Sequence, residues 1–124
     1  LSLKLKLLDK WNKKKTLTAK IYKNKIKNSR ISLIENTQGS SYYAFVIHTK
    51  NRTKLIKHMK NYKIQTNIYY PFSINQHKSL RNFFLKQKFP NAENYAKTSL
   101  AIPICPSLTN KQINYIIKCL NTFK

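Results

Sequence analysis

Apolar and polar residues along the opening stretch of the chain follow helical spacing. Residues 1–7 (LSLKLKL) alternate and, read alone, predict a strand. Beyond them Leu7, Leu8, Trp11, Leu17, Ile21, Tyr22 and Ile26 recur at helical spacing, and no Pro or Gly interrupts residues 1–38. The pattern predicts one long amphipathic helix over residues 1–27, its lysines outward. It starts without a cap, as a helix cut from something longer would.

Shorter elements follow. Residues 36–41 (NTQGSS) read as a loop holding the only glycine, Gly39. Residues 42–48 (YYAFVIH) are aromatic and β-branched and predict a strand. Residues 49–51 can cap a short helix with Leu55, Ile56 and Met59 on one face. Residues 63–70 (KIQTNIYY) put Ile64 and Ile68 on one side at period two, a second strand that Pro71 ends. Residues 80–88 predict a helical turn, and residues 91–98 a short helix capped by Asn91 after Pro90. Residues 101–106 (AIPICP) read as an extended apolar connector. Thr109 and Gln112 form a capping box that opens a last helix, with Ile113, Ile116, Ile117 and Leu120 on one face. The order predicts an α/β architecture: a small α+β layer with a mainly antiparallel sheet and covering helices, fed by a long helix. Two or three short strands make a small core, so the unit is expected to lean on another domain.

Charge changes the picture only in part. Lys and Arg total 25 against three acids (Asp9, Glu35, Glu93), a net charge of +22 in 124 residues. Such a balance suggests an anionic partner, either a nucleic acid or a membrane surface under the lysine-rich helix 1–27. However, only Arg30, Arg52 and Arg81 are arginines, and the lysines are spread along the whole chain. Lys, Asn, Ile and Tyr have A/T-rich codons, so drift of base composition accounts for the same bias. Cys105 and Cys119 lack metal spacing and are expected to be buried reduced thiols, as suits a cytoplasmic protein. The longest clean apolar run, residues 42–47, is far too short to span a bilayer.

Catalytic constellations are scarce. The three acids make no carboxylate pair, and His48, His58 and His77 fall on a strand, a helix and a loop with no metal spacing. One glycine cannot build a phosphate loop. The residues that stand out are Tyr69, Tyr70, Ser73, Asn75, Gln76 and His77, polar and aromatic groups where a strand ends and a loop begins, well placed to meet a ligand. From these residues alone, a surface loop whose tyrosines pack on a neighbouring helix is the preferred reading.

Three segments resemble one family. LKLLDKWNKKKTLTAKIY (residues 5–22), SSYYAFVIHTKNRTKLIKHMKNYKIQTNIYYPFSINQHKSL (residues 40–80) and FPNAENYAKTSLAIPICPSLTNKQINYIIKCLNTF (residues 89–123) are similar, in order, to the C-terminal part of the DegT/DnrJ sugar aminotransferases. Phe89-Pro90, Ala92-Glu93, Pro103, Pro106, Leu108-Thr109, Gln112 and Tyr115 are the most specific matches.

The resemblance implies a pyridoxal phosphate enzyme that aminates a nucleotide-linked keto-sugar for polysaccharide biosynthesis, using an amino-acid donor and acting as a cytoplasmic homodimer. It implies an inter-domain helix at residues 1–27 and a small C-terminal domain at residues 28–124. The cofactor lysine, the pyridinium-pairing aspartate and the phosphate-binding groups would lie in a large domain with no counterpart in these residues. The fragment alone should therefore lack transaminase activity and contribute no catalytic, cofactor or metal residue. Its substrate-binding residues would be Tyr69, Tyr70, Asn75 and His77. Tyr70 and Pro71 match the family directly, Tyr69 replaces a histidine, His77 a glutamine and Ser73 a proline. Asn75 stands where many members carry histidine, and asparagine there resembles the branch acting on UDP-linked 3-keto-sugars. Lys63 replaces a helix-ending glycine, a departure expected to cost roughly 1 kcal/mol. The alternative is a small basic nucleic-acid-binding protein, which predicts steeply salt-dependent binding to any polyanion.

Overall fold

The computed structural model describes residues 2–34, 39–84 and 87–124. The opening helix forms as two pieces, α1 (Ser2–Leu5) and α2 (Leu8–Lys25), separated by a turn in which Leu7 N–H reaches back to the Lys4 carbonyl at 3.1 Å. Residue 1, included in the expected helix, lies outside the described residues. Asp9 sits in the first turn of α2 and Lys23 and Lys25 in the last, signs that suit the helix dipole. Thr18, Ala19 and Tyr22 are buried along one face.

Three strands make one antiparallel sheet in the order β1 (Ser32–Leu33), β2 (Phe45–His48) and β3 (Ser99–Ile102). Phe45 lies opposite Ile102, Ile47 opposite Leu100 and His48 opposite Ser99. Opposed residues share a face, so Phe45, Ile47, Leu100 and Ile102 all point into the core, where each is nearly or fully buried. Helices α3 (Arg52–Asn61) and α5 (Asn110–Asn121) bring Leu55, Met59, Ile113, Ile116, Ile117 and Leu120 into the same cluster as Tyr22 and Ile26 of α2. Helix α4 (Pro90–Thr98) meets the other face of the sheet, where the Tyr95 ring stands edge-on to His48 at 4.6 Å. Asn28, just after α2, ties that segment to the end of α5, its amide donating to the Leu120 and Phe123 carbonyls at 2.8 and 2.7 Å.

Several sequence expectations change here. The expected connector at residues 101–106 is strand for its first two residues, the end of β3. It shows no alternation because Leu100, Ala101 and Ile102 are all buried. The expected second strand at residues 63–70 contributes a single bridge, Asn67 to Ala101. Its two hydrogen bonds, 3.1 and 2.8 Å, still place this segment along the free edge of β3. The strand expected over residues 42–48 begins at Phe45, because Tyr42 adopts a left-handed conformation (φ 47°). The cap of α4 is Phe89 rather than Asn91, with Pro90 in the first turn. The helical turn expected at residues 80–88 is a 3-10 turn at Arg81–Phe84, and residues 85 and 86 lie outside the described residues. The loop at residues 36–41 is described only from Gly39, a turn residue at φ 75°.

The capping box at Thr109 forms as expected. Thr109 N–H donates to the Gln112 side chain at 2.9 Å, and Gln112 N–H to the Thr109 hydroxyl at 3.3 Å.

Lys63 occupies the left-handed position that closes α3 (φ 56°). Ile64 N–H reaches the Met59 carbonyl and Lys63 N–H the Lys60 carbonyl, both at 2.9 Å, a pairing that ends helices at a glycine. A β-carbon strains this conformation. Lys63→Gly is expected to raise the unfolding free energy by about 1 kcal/mol, read as a higher urea midpoint at unchanged slope.

Candidate functional site

The left-handed turn at Tyr42 separates two consecutive tyrosines. Tyr42 turns inward and stacks on Phe45 with ring centroids 6.3 Å apart, while Tyr43 is 81% exposed. The Tyr43 ring lies 5.8 Å from that of Tyr69, tilted by 49°. These two rings stand on an open cleft of about 680 Å³. Asn67 and Ala101, which form the bridge, line it together with Pro103, Cys105 and Lys15 of α2. Tyr22 braces this region from beneath, its hydroxyl donating to the Pro103 carbonyl at 2.8 Å, and burial pushes that hydroxyl's pKa well above the ordinary tyrosine value.

Among the described residues no carboxylate lines the cleft. Two aromatic faces can stack on a planar ring, Lys15 can neutralise a phosphate, and Gln65, Thr66 and Asn67 offer amide and hydroxyl groups. The lining therefore suits an elongated ligand with a flat ring at one end and negative charge along it.

Of the four residues singled out from sequence, Tyr69 lines this cleft; Tyr70, Asn75 and His77 do not. Tyr70 is 81% exposed. His77 is also exposed, its ring 6.3 Å from that of Phe72. Asn75 is half-buried and engaged at both ends. Its Oδ1 accepts from the Ser73 hydroxyl at 2.7 Å, and its Nδ2 donates to Glu93 Oε1 at 2.9 Å.

Glu93 also accepts from Phe89 N–H at 3.3 Å, which helps to cap α4. The Asn75 amide, then the Phe89 amide, and then the Lys97 and Lys88 charges hold the Glu93 carboxyl below its ordinary range. A lowered folded-state pKa contributes stability above the unfolded value, and that contribution is lost as pH falls through the folded value. The Asn75–Glu93 bond is thus expected to persist from neutral pH down to the ordinary glutamate range near about 4.3 and to break only in stronger acid. A pH titration of the Asn75 side-chain 15N resonances checks this. A change centred near neutral pH would contradict it.

The cysteines divide. Cys119 is buried against Met59, sulfur to sulfur 3.4 Å, and burial pushes its thiol up to about 11. Cys105, expected to be buried, is exposed at the cleft, 2.9 Å from the Ser107 hydroxyl. That hydrogen bond, then the Ser107 backbone and the Lys14 charge, lowers its pKa. Among the described residues no three His, Cys, Asp or Glu gather as a metal site, and no helix is long and apolar enough to cross a membrane.

His48 stands at the other end of β2 from this cleft. The Thr98 hydroxyl gives its hydrogen to the Asn94 carbonyl, so it accepts from His48 Nδ1 at 3.1 Å. This puts a hydrogen on Nδ1, and burial lowers the pKa of the ring.

Sequence reasoning missed Tyr43, Lys15 and Cys105. Tyr43 had been absorbed into a strand and Lys15 into an outward lysine face. Tyr43 and Cys105 meet because β2 pairs with β3, Phe45 opposite Ile102, a contact far apart in sequence.

Residues 1–121 match the DegT/DnrJ/EryC1/StrS aminotransferase family. The erythromycin biosynthesis sensory transduction protein EryC1 of Saccharopolyspora erythraea is 30% identical over 97% of this chain and 34% of its own length. The dTDP-3-amino-3,6-dideoxy-alpha-D-galactopyranose transaminase of Aneurinibacillus thermoaerophilus is 26% identical over 99% of this chain and 34% of its own length. The chain thus spans about a third of the curated relatives it matches. Among solved structures, S. venezuelae DesV in complex with a ketimine intermediate superposes with a TM-score of 0.86 at 23% identity, covering 97% of this chain and 33% of that one.

Proposed function

This chain belongs to the DegT/DnrJ/EryC1/StrS aminotransferase family, and on that basis we propose that it forms the C-terminal part of a pyridoxal-phosphate-dependent sugar aminotransferase. The enzyme would move an amino group from an amino-acid donor to a nucleotide-linked keto-sugar for polysaccharide biosynthesis, with a UDP-linked 3-keto-sugar as the leading candidate. In this reading residues 1–27 join a large cofactor domain to the small domain at residues 28–124, and the assembled enzyme is a cytoplasmic homodimer.

The observation that carries the proposal is the Tyr43–Tyr69 pair on its open cleft. Tyr69 was singled out from sequence as a substrate residue, and its ring faces a cleft whose lining suits a nucleotide. Tyr70 and His77 follow on an exposed segment and stand free to extend the same wall. The cofactor supplies the electron sink for amino transfer. The described residues do not fit it by themselves: among them the cleft has no carboxylate for a pyridine nitrogen, and Glu93 is committed to Asn75 and Phe89. The chain therefore shapes and closes a site whose reactive groups come from the large domain. The basic nucleic-acid-binding reading is not favoured, since the lysines form no block.

The test is amino transfer to a UDP-linked 3-keto-sugar from an amino-acid donor. The 124-residue chain alone is expected to turn over nothing, and the same chain joined to its large domain to form the amino sugar. Turnover by the chain alone would overturn the proposal, as would a joined enzyme that binds the cofactor but aminates no nucleotide-linked keto-sugar.

A further inference from the structure

We infer that Glu93 is a positioning residue that holds the loop following the cleft residue Tyr69, and that Asn75 is its tether rather than a group that touches substrate. The inference rests on the substrate-facing reading of the cleft and deepens it.

The chain carries 25 cations and three acids. A carboxylate in such surroundings would be expected to meet a lysine. Glu93 has no ion pair within 4 Å among the described residues; its Oε1 accepts instead from the Asn75 amide and the Phe89 backbone. The loop hangs from that contact. Asn75 accepts from Ser73, which is buried, and Ser73 N–H donates to the Gln76 side chain at 3.2 Å, while Gln76 N–H returns to the Ser73 carbonyl at 2.9 Å. These bonds set the short 3-10 turn at Ile74–Gln76. The segment begins directly after Tyr69 and Tyr70, so an anchor at residue 75 limits where the cleft wall can move.

The donor directions are determined. The one hydroxyl hydrogen of Ser73 goes to Asn75 Oδ1, which leaves Nδ2 to face Glu93. The tether therefore needs a donor on one side and an acceptor on the other, here the amide of residue 75 and the carboxylate of residue 93. Tightly bonded at its Oδ1 and through Nδ2, the Asn75 amide is poorly placed to discriminate a ligand.

This polarity supplies the test. Asn75→Asp sets a carboxylate against the Glu93 carboxylate and should break the tether. Adding Glu93→Gln removes that repulsion and should restore the tether with the donor reversed: the Gln side chain turns so that its Nε2 donates to Asp while its Oε1 keeps the Phe89 N–H. Asn75→Ala removes the tether and leaves the Phe89–Glu93 cap, so loss of α4 can be told apart from release of the loop. Two quantities are read in the 124-residue chain: the backbone 1H–15N resonances of residues 73–77, and the affinity for UDP followed at the ring protons of Tyr43 and Tyr69. The tether predicts that Asn75→Asp and Asn75→Ala disperse or broaden the loop resonances and weaken UDP about tenfold, as coupled neighbours do. The double variant recovers both.

If Asn75→Asp weakens UDP with loop resonances unchanged and Glu93→Gln gives no rescue, Asn75 is a direct contact and the inference falls. It falls equally if no variant moves the loop. If the loop responds and is rescued but the wild-type chain does not bind UDP at all, the tether stands and the nucleotide reading of the cleft fails.

Discussion

Leu100→Ala is expected to lower the unfolding free energy by about 2–5 kcal/mol, the range for truncating a fully buried leucine. Leu100 is completely buried and lies opposite Ile47, also completely buried. It sits in the strand that joins β2 to the residue 67 segment, so the surroundings have little freedom to collapse into the space left behind. A small domain holds only about 5–15 kcal/mol in total, and a loss at the upper end of the range would leave a substantial unfolded fraction. Leu17→Ala is the control: Leu17 is 60% exposed, and its truncation should stay within about 0.5 kcal/mol. Urea unfolding followed by circular dichroism reads both. A Leu100→Ala midpoint that matches wild type would mean that β3 is not at the centre of the core.

The second large effect belongs to the cleft. In the assembled enzyme, Tyr69→Ala should reduce kcat/KM by about 10- to 100-fold, the equivalent of roughly 1–3 kcal/mol of lost ring stacking. Tyr69→Phe, which keeps the ring, should retain most of the activity. Tyr43→Ala should show a similar loss, and the double variant less than the product of the two, because the rings stand 5.8 Å apart and would share one ligand group. Equal losses in Tyr69→Ala and Tyr69→Phe would assign the effect to the hydroxyl instead. Full activity in Tyr69→Ala would remove Tyr69 from the substrate wall.

How far this protein can be read from sequence follows the range of the interaction involved. Helix α5 was legible because its evidence is local: a capping box three residues wide and an apolar stripe at helical spacing. The close of α3 at Lys63 was legible only through the family resemblance, which puts a glycine there; the residues alone read as the start of a strand. Strand β3 was not legible. It starts where α4 ends, at Ser99 itself, and burial on both faces erases the alternation that marks a half-exposed strand. Strand β1 is two residues long, below the reach of any periodicity. Residues 63–70 had the alternation yet pair at one position only. At the site, the aromatic and proline run drew attention to Tyr69. Tyr43 was hidden, since nothing in the residue type announces a left-handed tyrosine before it. Asn75 was legible as a distinctive residue but not as a tethered one, because its partner lies 18 positions away.

The position of β3 also governs when this protein can fold. Residues 45–48 and residue 67 are made early, yet neither pairs with the other; each waits for residues 99–102 to come between them. Until residues 99–102 follow, β2 has only its two-residue pairing with β1, and its other edge stays open. Closure over such long sequence separations is slow. A ribosome paused before residue 99 would present an unpaired strand, the kind of surface that chaperones bind and that aggregates when they do not.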